Sequence, residues 1–441
     1  MIPAPGNDPL PAVVGTKTFW INNAVAVRAV PEVVNGIAGR PDVEHIALGR
    51  DLELDELVKP TPAPPPLSLS TRFARSLRSM AGAAFRFFDV EFPSSLRAGP
   101  SWGVERINAP RLWQEGVKGD GVLVAVIDTG VNYKHPDLAD RMWDGGAQWP
   151  HHGRDFQGND DNPLDEHGHG TLSAGIVAGT GANGLATGVA PGARIMAIRI
   201  GVHQHDFWSA FEFAAEHGAH VVSMSISWDA PDNDYTGWRK ACETLLAVGV
   251  LHANAAGNLG SESALQKRPV PLNIGSPGNC PPPRLHPAQT LMGCLSSVIT
   301  CGETNQSDSL VATSGHGPTA WEAVFNDYPY NAGAQMGLLK PDLCAPGGVE
   351  SCYWRFTSTE DLYGPADGTS AATPAVAGCL ALLACACLRA GTQIVPAAML
   401  EALENTAVRI VGQTRAKENH FGAGRVDVYA AYQYGRQKNW W

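Results

Sequence analysis

Four side chains in this chain of 441 residues are of the types that acyl transfer requires, and each stands where the chain changes character. Asp128 closes the apolar run "VLVAVIDTG", where a carboxylate must find a hydrogen-bond partner or meet water. Taken alone it reads as structural or as a metal ligand. His169 lies in "DEHGHGTLSAGIVAG", between glycines that allow close backbone approach, with Thr171 placed to help start a helix. An isolated histidine in such a loop carries no chemistry by itself. Asn258 ends "GVLHANAAGN", and Ser370 opens "GTSAATPAVAG". A hydroxyl at the mouth of so apolar a stretch is either a helix cap, since serine is favoured there, or a nucleophile held at a helix start. An acid, an imidazole, an amide and an alcohol, each at a strand end or helix start, point together to acyl transfer.

The elements that must position these groups are legible in the hydrophobic pattern. "VLVAVIDTG", "ARIMAIRI", "AHVVSMSIS" and "GVLHANAAGN" are apolar strands, separated by helical stretches such as "DFWSAFEFAAEHG" and "GWRKACETLLAVG". Apolar strands alternating with helices predict an α/β fold, a mostly parallel sheet covered by helices on both faces. Ligands of such sheets sit at the carboxyl ends of the strands, where the four residues fall.

Ahead of this region, residues 17–56 form a small α+β unit: "KTFWINNAVAVRAV" reads as a strand, "PEVVNGIAGRP" as a short helix from Pro31, and "VEHIALGRDLEL" as a second strand. The division is then 1–56 for this unit, 57–101 for a linker and 102–441 for the main body. The linker begins with the stiff, extended "KPTPAPPPLSLS". Arg72, Arg75, Arg78, Arg86 and Arg97 follow, interleaved with Phe73, Leu77, Phe85, Phe87 and Phe88. That pattern fits an amphipathic helix packed on the main body; a contact with a partner or an acidic membrane is the alternative.

Composition narrows the function. A hydrophobic content of 44% and 48 glycines describe a globular chain, and a net charge of −11 without a long basic run argues against nucleic acid. The opening "MIPAPGNDPLPAVVG" lacks the basic start and apolar core of a secretory signal, which leaves the compartment open. The longest apolar run, Ala375 to Leu388, is 14 residues counted inclusively, too short for a membrane span and suited to a buried helix. Nine cysteines cannot all pair within one chain. Cys379, Cys385 and Cys387 read as buried thiols, whereas Cys280, Cys294 and Cys301, or Cys344 and Cys352, are candidates for bridges. Asp155, Asp160, Asp161 and Asp165, near His151, His152 and His167, form either a solvated acidic loop or a calcium site. No HExxH zinc helix occurs.

The motifs "VAVIDTG", "HGHGTLSAG", "AAGN", "KPDLCAPGG" and "GTSAATPAVAG" resemble those of the subtilisin-like (subtilase) serine peptidases, and the likeness runs through 102–432. The order Asp, His, Ser is that of subtilisin. The resemblance implies a subtilisin-like three-layer sandwich and a serine endopeptidase acting on peptides or proteins. It assigns Ser370 as nucleophile, His169 as general base and then acid, Asp128 as the group that orients the imidazole, and Asn258 with the Ser370 N–H as oxyanion donors. No cofactor is required, with calcium an option. Ser225, Ile226, Ser227 and Trp228, together with Ala255, Ala256 and Gly257, would bind substrate. Residues 17–56 resemble the last part of the family's propeptide, a chaperone and inhibitor, so self-cleavage within 57–101 is expected.

Departures from the family pattern carry their own expectations. Leu172 and Ser173 replace the usual His-Val, with no effect foreseen. Ser227 and Trp228 replace two glycines, which should narrow or reshape the pocket and suits a selective processing enzyme rather than a degradative one. An α/β-hydrolase esterase is excluded, because "GTSAA" lacks the GxSxG glycine and the residues after Ser370 run His420 then Asp427. An inactive binding module that kept the fold would not retain all four site residues.

Overall fold

Strand β4 (Leu123–Asp128) is the middle of the molecule, and its sequence shows why. All six of its residues are buried, so neither face can be polar until the terminal aspartate. In the computed structural model the described residues are 13–29, 31–38, 40–41, 43, 46 and 99–441, except 183, 202, 229–233, 261–267, 321–327, 332–336 and 356–361. Ahead of β4 lie β1 (Val13–Phe19), β2 (Ala24–Ala29) and β3 (Gly99–Pro100). After it come β5 (Gly153–Asp155), β6 (Leu185–Ala186), β7 (Arg194–Arg199), β8 (Val221–Met224) and β9 (Leu251–Ala255). The last strands are β10 (Val298–Thr304), β11 (Leu343–Pro346), β12 (Val349–Cys352) and β13 (Tyr363–Ala366). The helices are α1 (Pro31–Ala38), α2 (Trp102–Arg106), α3 (Ala109–Gln114), α4 (His169–Ala178), α5 (Gln204–Glu216), α6 (Tyr235–Ala247), α7 (Thr369–Ala390), α8 (Pro396–Thr406) and α9 (Val428–Gln437).

The main sheet has seven strands in the order β11-β10-β9-β8-β4-β7-β5, and every neighbouring pair is parallel. Alternation along β4 assigns its two faces. Val124 and Val126 join the core formed with α4, α7, α8 and α9, whereas Leu123, Ala125 and Ile127 join Phe207, Phe211 and Trp238 of α5 and α6. Helices on both faces of a buried parallel sheet make the three-layer α/β sandwich that the sequence predicts. Chain order reverses direction around β4, so the crevice at its carboxyl end is where a site belongs.

The apolar run near the end of the chain is α7, a 22-residue helix. Among the described residues it is the one helix long and apolar enough to cross a membrane, yet 94% of its apolar window is buried inside the protein. Its alanines let it lie close over the sheet, and its cysteines 379, 385 and 387 are buried thiols. None of the nine cysteines is in a disulfide, so the bridges considered for Cys280, Cys294 and Cys301 or for Cys344 and Cys352 are not formed.

The stretch expected as one strand over 17–30 is instead the antiparallel hairpin β1–β2. Asn23 turns the chain with φ +53°, a left-handed conformation that asparagine tolerates better than most residues. The helix from Pro31 is present, its proline at the first position, where the missing N–H costs no bond. Apart from Val43 and Ile46, the second strand predicted there lies outside the described residues, as do the proline-rich and arginine-rich parts of the linker.

Candidate active site

Asp128 leaves the end of β4 with its carboxylate 1% exposed and needs donors. It finds three: Thr129 N–H on Oδ1 at 2.7 Å, Ser173 Oγ–H on Oδ2 at 3.2 Å, and His169 Nδ1 on Oδ1 at 2.7 Å. The histidine is brought there by a close approach that only glycine permits. A Cβ on Gly170 would stand 2.0 Å from the Gly130 carbonyl oxygen, so "HGHG" lets the start of α4 touch the end of β4. Asp165 fixes that helix start, accepting from the N–H groups of His167, Gly168 and Thr171 and from the hydroxyls of Thr129 and Thr171. Burial alone would lower the His169 pKa. The charge and hydrogen bond of Asp128, with the charge of Asp165, outweigh it and hold the pKa above its ordinary value.

Ser370 is the second residue of α7, after Gly368 at φ +78°. Pro374 sits four residues further on and has no N–H, so the Ser370 carbonyl loses its helical partner. Ser225 Oγ supplies the missing donor at 3.0 Å, tying the end of β8 to the helix. The N–H groups around Ser370 are taken up one by one: Gly368 donates to Glu303 Oε1 at 3.2 Å, Thr369 to Asn258 Oδ1 at 3.0 Å, and Ala371 to Gly368 O at 2.9 Å. The Ser370 N–H alone in this run has no partner among the described residues. Because a backbone N–H can only donate, the Thr369 bond also fixes which end of the Asn258 amide is oxygen.

His169 and Ser370 line one cavity of about 20 Å³, with Leu172, Ser173, Ile176, Ala366, Asp367 and Ala371. That space suits about one water molecule. Ser370 Oγ makes no hydrogen bond among the described residues; such contacts often tighten only when substrate binds.

The segment after β8 alternates. Ile226 and Trp228 turn into the core at 1% exposure each, and the Trp228 ring meets Phe207 edge-on at 6.1 Å. The Trp228 side chain, expected to narrow or reshape the pocket, thus packs in the core against α5. Ser225 and Ser227 occupy the alternate positions, and Ser227 Oγ donates to the Ala255 carbonyl at 3.3 Å. Ala255 and Ala256 are buried, and Gly257, at φ +85°, turns the chain towards Asn258. The Asn254 amide joins the two segments, its Nδ2 donating to the carbonyls of Met224 and Ile226.

In the acidic loop, Asp155 accepts from the N–H groups of Gln157 and Gly158 and pairs with Arg199, and Asp160 accepts from Asn162 N–H. No group of three or more His, Cys, Asp or Glu side chains able to hold a metal occurs among the described residues. Nothing in the sequence marked the contact of Ser173 with Asp128, that of Glu303 with Gly368, or the place of Asp367 in the cavity of His169 and Ser370. Asp165 stood out in the sequence only as one of a cluster of acids.

The model of the subtilase family matches residues 119–424. Thermitase of Thermoactinomyces vulgaris is 31% identical over 341 residues, covering 76% of this chain and 96% of its own. Subtilisin E of Bacillus subtilis is 28% identical over 342 residues, covering 75% of this chain and 71% of its own. The major intracellular serine protease of Bacillus subtilis is 30% identical over 288 residues, covering 64% of this chain and 74% of its own. This chain belongs to the subtilase family. It is a serine-type endopeptidase, a hydrolase of peptide bonds.

Proposed function

We propose that Ser370 Oγ attacks the scissile carbonyl while His169 Nε2 takes its proton and later returns it to the departing amine. Asp128 holds Nδ1 protonated and stabilises the imidazolium that forms. The tetrahedral oxyanion is met by the free Ser370 N–H and by Asn258 Nδ2, whose own oxygen is anchored by Thr369. The observation that supports this best is the 2.7 Å Asp128–His169 bond beside a cavity that His169 shares with Ser370. Peptide hydrolysis by Ser370→Ala protein tests it: turnover should fall to background, and retained turnover would refute the assignment.

Substrate would lie extended along Ser225–Ser227, across from Ala255, Ala256 and Gly257. Ile226 and Trp228 then shape this wall from behind, by packing, and the Ser227 hydroxyl is the group that narrows it. This supports a selective peptidase over a degradative one, and a random peptide pool cut without preference before the scissile bond would count against selectivity.

The amino-terminal unit would act as a propeptide in cis. The hairpin docks on α5, burying Phe19 and Ile21, with Trp20 and Ile21 N–H groups on Glu212 and the Trp20 indole on Glu216. Self-cleavage within 57–101 follows on this reading: wild type shortens, and Ser370→Ala protein stays full length. Equal masses for the two would remove the processing step.

A further inference from the structure

Beneath the turn that leads into Ser370, β10 presents a carboxyl group that the reaction above does not use. Glu303 is 1% exposed. Its Oε1 accepts the Gly368 N–H at 3.2 Å, whereas Oε2 is buried with no donor. Its backbone N–H donates to Ser314 Oγ at 3.1 Å, fixing the strand that carries it. The surroundings are shaped to this side chain, since a Cβ on Gly347 would fall 2.1 Å from Oε1.

The Glu303 carboxyl lies within hydrogen-bond reach of the carboxyl of Asp367, the residue just before Gly368. Two ionised carboxylates are both acceptors and repel, so the contact requires a shared proton. Asp367 is exposed and Glu303 buried, which places the proton on Glu303. Burial, the Asp367 charge and the bond to it all push the Glu303 acid well above the usual carboxyl range, against the Gly368 N–H. Among the described residues the other titratable group facing it is the buried Cys344 thiol, pushed up by burial first and then by Glu303.

We propose that Glu303 is a positioning residue: as a neutral acid it donates to Asp367 and accepts from Gly368, clamping the turn that holds the oxyanion donors. The clamp accounts for two consecutive positions before Thr369, whose own N–H is held by Asn258. With Gly368 and Thr369 both occupied, the Ser370 N–H is the next one presented, and it stays free for the oxyanion. The inference rests on Ser370 as nucleophile, and its effect belongs to the transition state rather than to substrate binding.

Two measurements test it. Glu303→Leu should lower kcat by about 10²-fold, the loss typical of a misplaced oxyanion donor, with KM within about twofold. Glu303→Gln restores both bonds, its amide donating to Asp367 and its oxygen accepting from Gly368, and should rescue kcat to within about threefold of wild type. A glutamine variant as impaired as the leucine one, or a loss carried by KM, would overturn the proposal. If Glu303→Leu does not fold, the glutamine variant and carboxyl-carbon NMR still decide. In full-length Ser370→Ala protein labelled at glutamate, the resonance absent from the Glu303→Gln, Ser370→Ala double variant should have the shift of a protonated acid at neutral pH. An ionised shift would overturn the proposal whatever the role of Ser370, and an acid shift in a protein whose wild type cuts nothing would locate the failure in the nucleophile instead.

Discussion

At the scale of single residues, the imidazole of His169 sets the pH range of activity. A base works only when neutral, and Asp128 and Asp165 hold this one charged to higher pH than an ordinary histidine. The acid limb of kcat/KM should therefore lie above the ordinary value of about 6.5. In Asp128→Asn protein that limb should move down and kcat should fall by about 10⁴-fold, as expected when the imidazole is held in the wrong tautomer. A pH profile unchanged by the substitution would contradict the role given to Asp128. The four central side chains were legible from type and position, because strand ends and helix starts can be read from local pattern. Asp165 was not legible in this way. A cluster of aspartates looks the same in sequence whether its carboxylates face a cation or a ring of backbone N–H groups. Glu303 and Asp367 lie 64 positions apart and meet only in the fold.

At the scale of elements, the bond between β8 and α7 replaces one that Pro374 removes. Ser225→Ala would leave the Ser370 carbonyl without its donor, and a loss of about 1–3 kcal/mol in unfolding free energy is expected by denaturant titration. Ser227→Gly removes the hydroxyl bound to Ala255 and should broaden cleavage toward larger residues before the scissile bond, read from a peptide-pool profile. An unchanged profile would mean that the wall is set elsewhere. The placement of Trp228 was open to prediction from alternation: Ile226 and Trp228 share one parity and Ser225 and Ser227 the other. Comparison by position with two glycines hid that parity. The β1–β2 hairpin was missed because "WINN" carries no glycine or proline to announce a turn.

At the scale of the whole molecule, the carboxyl-terminal layers are held by a buried ionic cluster. Asp342 accepts Lys340 at 2.7 Å and Lys417 at 2.9 Å, and Lys417 also reaches Glu404 at 2.6 Å. Burial would raise the Asp342 pKa, but the two lysines outweigh it and lower it. A depressed folded-state value contributes stability that is complete above the unfolded pKa of about 3.9 and is lost as pH falls through the folded one. Acid unfolding should thus begin below about pH 4 for this group. Lys417→Met leaves buried carboxylates less compensated and should cost about 3–5 kcal/mol, measured by denaturant titration at neutral pH. The parallel sheet and its covering helices were legible because both layers write apolar runs. The cluster was not, since its lysines and acids are drawn from distant loops and a helix.

Whether acid, imidazole and alcohol act as one unit is tested most directly by labelling with a serine-directed phosphonylating reagent, followed by peptide mapping. Wild type should carry a single adduct on Ser370, and His169→Ala protein should carry none under the same conditions. An adduct on another serine, or equal labelling of both proteins, would contradict the account.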